Sequence, residues 1–476
     1  MATRRITTFG EPFFTQLDAH KTPCLILSAE TDDFDDELLQ QWREEGFNVQ
    51  YVPLAEGGGA YIRRLHDVAN GMVGVSEHYA IVAYGDAASA VLEAHIKPSP
   101  KLCSIVAYYP STIPDPTNTR FPMQLQVLVH LAGQQIGVRR NSEILGIQGK
   151  RRTVQKRVDP GMGVGGVLNL SYPCYTYEGV EPGFAESDLD EYNTVAADVA
   201  WTRSLETVRR SFHMEVNIEH STQHQHSLIP IRKDTLKNHD TAKTLSNLHP
   251  SFRLTNIPTL TGGASQKQLT AFYTTHFTTP PSLRLRLLSR TLGTDRTVDE
   301  LLATFTHTHP IPWLLPGIPP TNEKVEIAFV NIVSMKGGKV AGERMYWDQA
   351  SVLVQIGLLD PSKGVSGAEM RKKGVERLPV VGVEGARAVV EPTSAPRNTL
   401  LVSRSSKTGN STSTASGGGG DEEDDEDDEE EGSDDMEESG DDDSEDDEDD
   451  DDRDYVHSDA EQVDAGEGAG AKLSKR

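Results

Sequence analysis

The stretch YAIVAYGDAASAVLEAH, residues 79–95, decides how the first half of the chain is read. Its apolar run from Tyr79 to Tyr84 ends at Gly85, and a helix-like pattern starts near Ala87. Strand, sharp turn and helix is the layout of a nucleophile elbow, whose usual G-x-S-x-G form holds Ser or Cys at its centre. The centre of Gly85-Asp86-Ala87-Ala88-Ser89 is Ala87, which offers no nucleophilic atom. Ser89 lies two residues past that apex and is expected along the first turn of the helix. Asp86 precedes the apex and cannot replace it without turning the elbow.

On either side of this stretch, strands and helices alternate. TPCLILSA (22–29) is a short apolar strand, and DFDDELLQQWREEG (33–46) is a helix with Leu38, Leu39 and Trp42 at helical spacing and Gly46 as its stop. FNVQYVPL, CSIVAYYP and LQVLVHLAG read as strands, and AYIRRLHDVANGM as a helix. Such interleaving implies a mostly parallel sheet covered on both faces. Residues 188–212 form a long amphipathic helix, with Tyr192, Val195, Val199, Trp201 and Leu205 expected on its inner side. Histidines cluster in HSTQHQH (220–226), but without a carboxylate or Cys at ligand spacing they read as a polar loop.

After IPTLTGG (257–263) the pattern changes. QKQLTAFYTTHF is a helix, and strand-like segments follow at 283–293, 297–315 and 324–348. Lys336-Gly337-Gly338-Lys339 between two such runs signals a hairpin. QASVLVQIGLLD closes this part as a helix, so the second half is α+β. RTLGTDRTVDE, with Asp295, Arg296, Asp299 and Glu300, reads as a surface ion-pair segment.

The formal net charge of −27 does not belong to the folded part. From Asp421 onward there are 31 Asp and Glu against 4 Lys and Arg, which leaves 42 of each for the preceding residues. This tail and the Gly/Ser stretch before it lack the apolar surface to offset the entropy of ordering, so both are expected to be disordered. The tail is expected to act as a solubilising segment or to bind a basic protein. Three cysteines, Cys24, Cys103 and Cys174, fit buried free thiols in a reducing compartment. The N-terminus lacks a secretory apolar core, and no run approaches a membrane span, so a soluble, cytoplasmic protein is expected.

Four stretches together resemble the dienelactone hydrolase (carboxymethylenebutenolidase-like) family of α/β-hydrolases: YAIVAYGDAAS, VAYYPSTIPDP, LQVLVHLAGQQIGV, and residues 175–210 with their GFAE. The resemblance covers about residues 20–215. It implies a nucleophile at position 87, an acid after VLVHLAG and a histidine before GFAE. Those positions hold Ala87, Gln134 and Gln135, and Pro182, so the implied triad is vacant. His78 and His130 stand at strand ends and read as surface or packing residues.

Residues 272–361, above all ERMYWDQASVLVQIGLLDP (343–361), resemble SnoaL-like polyketide cyclase domains of the nuclear-transport-factor-like cone fold. The domain is expected to begin near residue 213, and the combination resembles a class of fungal fusion proteins. The resemblance implies an apolar pocket with an acidic or histidine proton-transfer group. Matching positions are His276, His307, His309, Trp313, Tyr346, Trp347 and Asp348. Asp348 could abstract a proton alpha to a carbonyl, or it could simply cap the helix at Gln349. His307 and His309 are expected to share a strand face.

The expected organisation is therefore an α/β hydrolase-like domain over 1–212, an α+β SnoaL-like domain over 213–362, an extension over 363–400 and a disordered tail over 401–476. The expected function is a hydrolase-family module without its triad, joined to a small-molecule-binding or isomerase/cyclase-type cone, with Asp348 and His307 as candidate catalytic groups. An active ester or lactone hydrolase and a non-catalytic scaffold stand as alternatives. No cofactor or metal is expected. The expected partners are a small hydrophobic carbonyl-containing ligand, a second copy of the chain and a basic protein, with neither nucleic acid nor membrane.

Overall fold

The computed structural model describes residues 22–401, apart from 75–76, 116–118, 134, 145–146, 158–165, 168–171, 178, 215, 217, 220–244, 246–247 and 363–376. The histidine cluster at 220–226, Gln134 and the acidic tail lie outside the described residues.

The first half runs β1 (Cys24–Ser28), α1 (Asp36–Glu44), β2 (Asn48–Tyr51), α2 (Gly58–Met72), β3 (Tyr79–Tyr84), α3 (Gly85–Ala94), β4 (Leu102–Tyr108), β5 (Thr112–Pro114), β6 (Gln126–Leu131), β7 (Gln135–Ile144), β8 (Ile147–Arg157), β9 (Gly166–Val167), β10 (Cys174–Thr176) and α4 (Thr194–Ser211). The main sheet has the order β2-β1-β3-β4-β6-β10-β9, parallel up to β10 and antiparallel only at β9. β1, β3 and β4 bury every residue, as central strands covered on both faces must.

Alternation along β1 sends Cys24 and Ile26 into one core with Tyr61, Leu65, Ala87 and Val91, and Leu25 and Leu27 into the other with Trp42, Trp201 and Leu205. Helices therefore cover both faces, α2 and α3 on one and α1 and α4 on the other. The order reverses between β1 and β3, which places a switch-point crevice at their carboxyl ends.

Local signals explain the helix ends. Asp35 caps α1 by accepting from the Glu37 and Leu38 amides, and Asn193 caps α4 by accepting from those of Val195 and Ala196. Because α4 begins at Thr194, its buried stripe is Ala196, Ala200, Trp201, Leu205 and Val208, while Tyr192 and Val195 are exposed. The β7–β8 hairpin, with β5, makes a second small sheet that the sequence reading missed.

The second half runs β11 (Arg253–Asn256), β12 (Thr261–Gly263), α5 (Gln266–Ala271) continuing into a π turn at Phe272–His276, β13 (Arg284–Leu292), β14 (Arg296–Thr306), β15 (Lys324–Lys336), β16 (Lys339–Trp347), α6 (Gln349–Gln355) and α7 (Val383–Val390). Its sheet has the order β12-β11-β16-β15-β14-β13. β14 and β15 alternate strictly between buried and part-exposed residues, so one face looks inward onto α5, α6 and the Trp313 loop.

Asp299 and Asp295 are both buried, which corrects the surface reading of their segment. β14 ends at Thr306, so the strand alternation stops there: His307 is buried and His309 exposed. α7, in the described part of the C-terminal extension, is tied to β15 by Arg387 on Glu326 at 3.1 Å. All three cysteines are free and buried. Among the described residues no helix is long and apolar enough to cross a membrane.

Candidate functional site

At the crevice end of the parallel sheet, Gly85 turns the chain with φ +54°, and a Cβ there would lie 2.1 Å from a Glu30 carboxylate oxygen. Glu30 accepts from the Asp86 amide at 2.8 Å and so occupies one of the free donors in the first turn of α3. Ser111 donates to Asp86 at 2.5 Å, and Ser89 accepts from the Thr112 amide at 3.0 Å. Ala87 is fully buried among the packing residues under α3 rather than presented at a mouth.

Pro182 is exposed, and Gln135 opens β7. His78 is exposed. His130 is fully buried, with Nδ1 on the Tyr177 hydroxyl at 2.9 Å and Nε2 on Ser204 at 2.8 Å, and burial pushes it down to about 3. Its two ring nitrogens are both engaged in packing. Glu186, four residues beyond Pro182, accepts from the Tyr109 hydroxyl, and burial pushes its carboxyl up to about 7.

In the second half the inward face divides into two ends. The outer end is an apolar chamber lined by Leu285, Leu301, Phe305, Trp313, Phe329 and Met345, among others. Trp313 is fixed by donating to the Thr278 carbonyl at 2.9 Å, and its ring meets Trp347 edge-on at 5.9 Å. The free volume is about 20 Å³, room for about one water molecule.

Two residues further along the same strands lie Asp299, Asn331 and Glu343, all buried, with Asp299 opposite Asn331 and Glu343 diagonal to Asn331, opposite Val333. Arg290, opposite Asp299 in the β13–β14 register, forks onto it through Nε at 2.7 Å and Nη2 at 2.8 Å. Glu343 accepts only from the Asn331 amide, at 3.0 Å, among the side-chain bonds described for it. Burial pushes Glu343 up to about 7, against the Asn331 hydrogen bond and helped by the charge of Asp299.

Tyr273, on the π turn, raises its own hydroxyl pKa through burial and the nearby Glu343 charge. π turns recur at functional sites. The Tyr273 hydroxyl, the Asn331 carbonyl oxygen and the Thr297 hydroxyl are buried and have no hydrogen-bond partner among the described residues. Buried polar atoms are rarely left so.

Of the residues singled out from the sequence, Trp313 and Trp347 meet at this core. Asp348 is exposed and caps α6, accepting from the Ala350 and Ser351 amides at 2.9 and 3.2 Å. His307 lies behind Thr321, with Nδ1 at 3.2 Å from its hydroxyl, and does not line the chamber. His276, His309 and Tyr346 are exposed. Glu343, Asn331, Asp299, Arg290 and Tyr273 were not foreseen. Strand alternation, carried from Leu301, Ala303 and Phe305 back to Asp299, was the signal for that residue. Among the described residues no group of His, Cys, Asp and Glu is arranged to hold a metal ion.

Residues 231–356 match a family described as SnoaL-like polyketide cyclase. Solved structures similar to this chain include a protein from Jannaschia sp. assigned as a SnoaL-like polyketide cyclase, 19% identical, covering 31% of this chain and 98% of its own, with a TM-score of 0.26. TsrD from Streptomyces laurentii is 18% identical over 29% of this chain and 96% of its own, with a TM-score of 0.23. An NTF2-like protein from Burkholderia pseudomallei is 14% identical over 30% of this chain and 99% of its own, with a TM-score of 0.22. No curated protein sequence matches the chain.

Proposed function

We propose that the SnoaL-like domain binds a small hydrophobic carbonyl compound and moves a proton on it, with Glu343 as the acid–base group. The observation that carries this reading is a buried carboxyl near neutrality beside an unpartnered phenol, two residues along the strands from an apolar chamber. A carboxyl held near the working pH can both take and return a proton. The Tyr273 hydroxyl then supplies a hydrogen bond to the oxygen on which charge develops. Arg290 pairs with Asp299, whereas no cation is paired with Glu343 among the ion pairs described, so Glu343 is taken as the proton-transfer group. The α/β half is read as a dienelactone hydrolase-like domain without chemistry, since Ala87 is core and no imidazole stands at Pro182. Asp348 is read as a helix cap.

A non-catalytic scaffold is the second reading, favoured by the small free volume of the chamber. Under the first reading a ligand enters by displacing Trp313 and the π turn. A cytoplasmic setting, a homodimer and a basic partner for the tail belong to the proposal as well. The test is a thermal-shift and tryptophan-fluorescence screen of the full chain with aromatic ketones and lactones, followed by deuterium exchange at the alpha carbon of any binder. Exchange that Glu343→Gln abolishes while binding persists is expected. Absence of any binder moves the assignment to the scaffold.

A further inference from the structure

The two hairpins that carry the polar end of the cone are held at their tips by the α/β domain. Glu45, at the end of α1, and Arg209, on α4, form an ion pair at 2.5 Å with side chains only 3% and 8% exposed. The second Glu45 oxygen accepts from the amide of Gly337, in the β15–β16 turn, at 3.0 Å. Arg209 also donates to the carbonyl of Thr294, in the β13–β14 turn, at 2.7 Å. Thr202 of α4 donates to Asp295 at 2.8 Å and accepts from Arg296 at 2.8 Å. The Met335 amide donates to the Asp295 carbonyl at 2.7 Å and joins the two turns. Gly337 has φ +53°, and a Cβ there would lie 3.1 Å from the Glu44 carbonyl, so the turn fits its seat closely.

What these contacts fix is register. Strand side chains alternate with a period of two, so a slip of one residue turns every inward residue outward. Both hairpins contain a shift in their pairing, between Leu287 and Ser289 and between Ser334 and Met335. In β13–β14 the shift separates the far end from the Arg290–Asp299 pair, so pairing from that end does not alone specify where the two meet, whereas Glu343, opposite Val333, is in unbroken register with the far end of β15–β16. The anchored β13–β14 turn fixes that pair, and the Met335–Asp295 link carries the same register onto β15, whose Asn331 meets Glu343.

We infer that Glu45 and Arg209 are positioning residues for the Asp299–Asn331–Glu343 cluster, so that the α/β half serves the cone as a clamp on the register of its two hairpins. The inference rests on the proposed role of Glu343 for its consequence, but the clamp can be read separately. On the proposed reading of the α/β half as a domain without chemistry, these contacts give that half a part in the cone's site.

The experiment uses the full chain. The infrared band of the protonated Glu343 carboxyl, identified by its loss in Glu343→Gln, is followed with pH, and amide hydrogen exchange of residues 296–300 and 339–343 is measured beside it. Arg209→Met and Glu45→Ala are expected to move the band's midpoint by about half a pH unit, the scale of coupling through packed networks, and to speed exchange in both segments. Arg209→Lys is expected to do less. An unchanged midpoint and unchanged exchange in both variants, even with a lowered melting temperature, would overturn the inference. If Arg209→Met does not fold, Glu45→Gln and Thr202→Val replace it, and no change in either overturns the inference equally. If the wild-type band does not titrate near neutrality, the acid–base reading of Glu343 fails. The clamp is then decided by exchange alone, faster exchange supporting it and unchanged exchange overturning it.

Discussion

Arg290 grips Asp299 through two guanidinium nitrogens, while Glu343, two strands away on the same inward face, is met by the Asn331 amide. One carboxylate is paired with a guanidinium, and the other is pushed up to about 7 by burial, with its neighbour's charge adding to the rise. Two carboxyls set apart by environment are the usual basis for dividing acid and base roles.

Glu343 makes stability depend on pH with a definite sign. Its folded pKa of about 7 stands above the ordinary 4.5. In that window the folded chain holds the proton and the unfolded chain does not, so stability falls as pH rises from 4.5 to 7. The effect is at most about 3.5 kcal/mol, at about 1.4 kcal/mol per pH unit. Urea unfolding at pH 5 and pH 8 should show this slope, and Glu343→Gln should reduce it to the part that Glu186, also pushed up to about 7, contributes.

Arg290→Met should destabilise by about 3 kcal/mol, because it strands a buried charge on Asp299. Adding Asp299→Leu to the same chain should recover most of that loss. Denaturant midpoints of the single and double variants decide the matter, and a double variant no better than the single would contradict it.

His130 should remain neutral well into acid. Its depressed pKa means that it contributes stability above the ordinary 6.5 that is lost as pH falls toward about 3. Ring nitrogen and carbon NMR shifts should stay constant from pH 8 to pH 4, with one tautomer throughout. A midpoint near 6.5 would show that the Tyr177 and Ser204 contacts do not enclose the ring.

Asp348 should behave as a cap. Asp348→Asn is expected to be nearly silent, since Asn caps as well, and Asp348→Ala to cost about 1 kcal/mol. Thermal melts rank the two. Loss of ligand turnover in the Asn variant would instead return Asp348 to the site.

The parallel core was legible because buried central strands read as unbroken apolar runs, as in YAIVAY and CSIVAYY. The β7–β8 hairpin was not, because its polar and basic residues carry no such run. The cone's sheet was legible as hairpins, and its tryptophans were read as pocket residues, of which Trp313 lines the chamber and Trp347 packs against it. Asp299 was misread because it lies among Asp295, Arg296 and Glu300, although its inward direction follows from Leu301, Ala303 and Phe305. Asp295 is different: its burial comes from α4, a partner distant in sequence, and no local pattern encodes that. His307 and His309 were paired by extending a strand that in fact stops at Thr306.

The placement of the thiols and the indoles gives the chain its own pair of reporters. Cys24, Cys103 and Cys174 all lie in the parallel sheet, whereas Trp313 and Trp347 lie in the cone. Alkylation of the thiols therefore clocks the opening of one half. Once Trp42 and Trp201 are replaced by phenylalanine, indole emission follows the other. If the halves open as a single cooperative unit, the two clocks run together. If the cone breathes alone, its emission changes while the thiols stay protected.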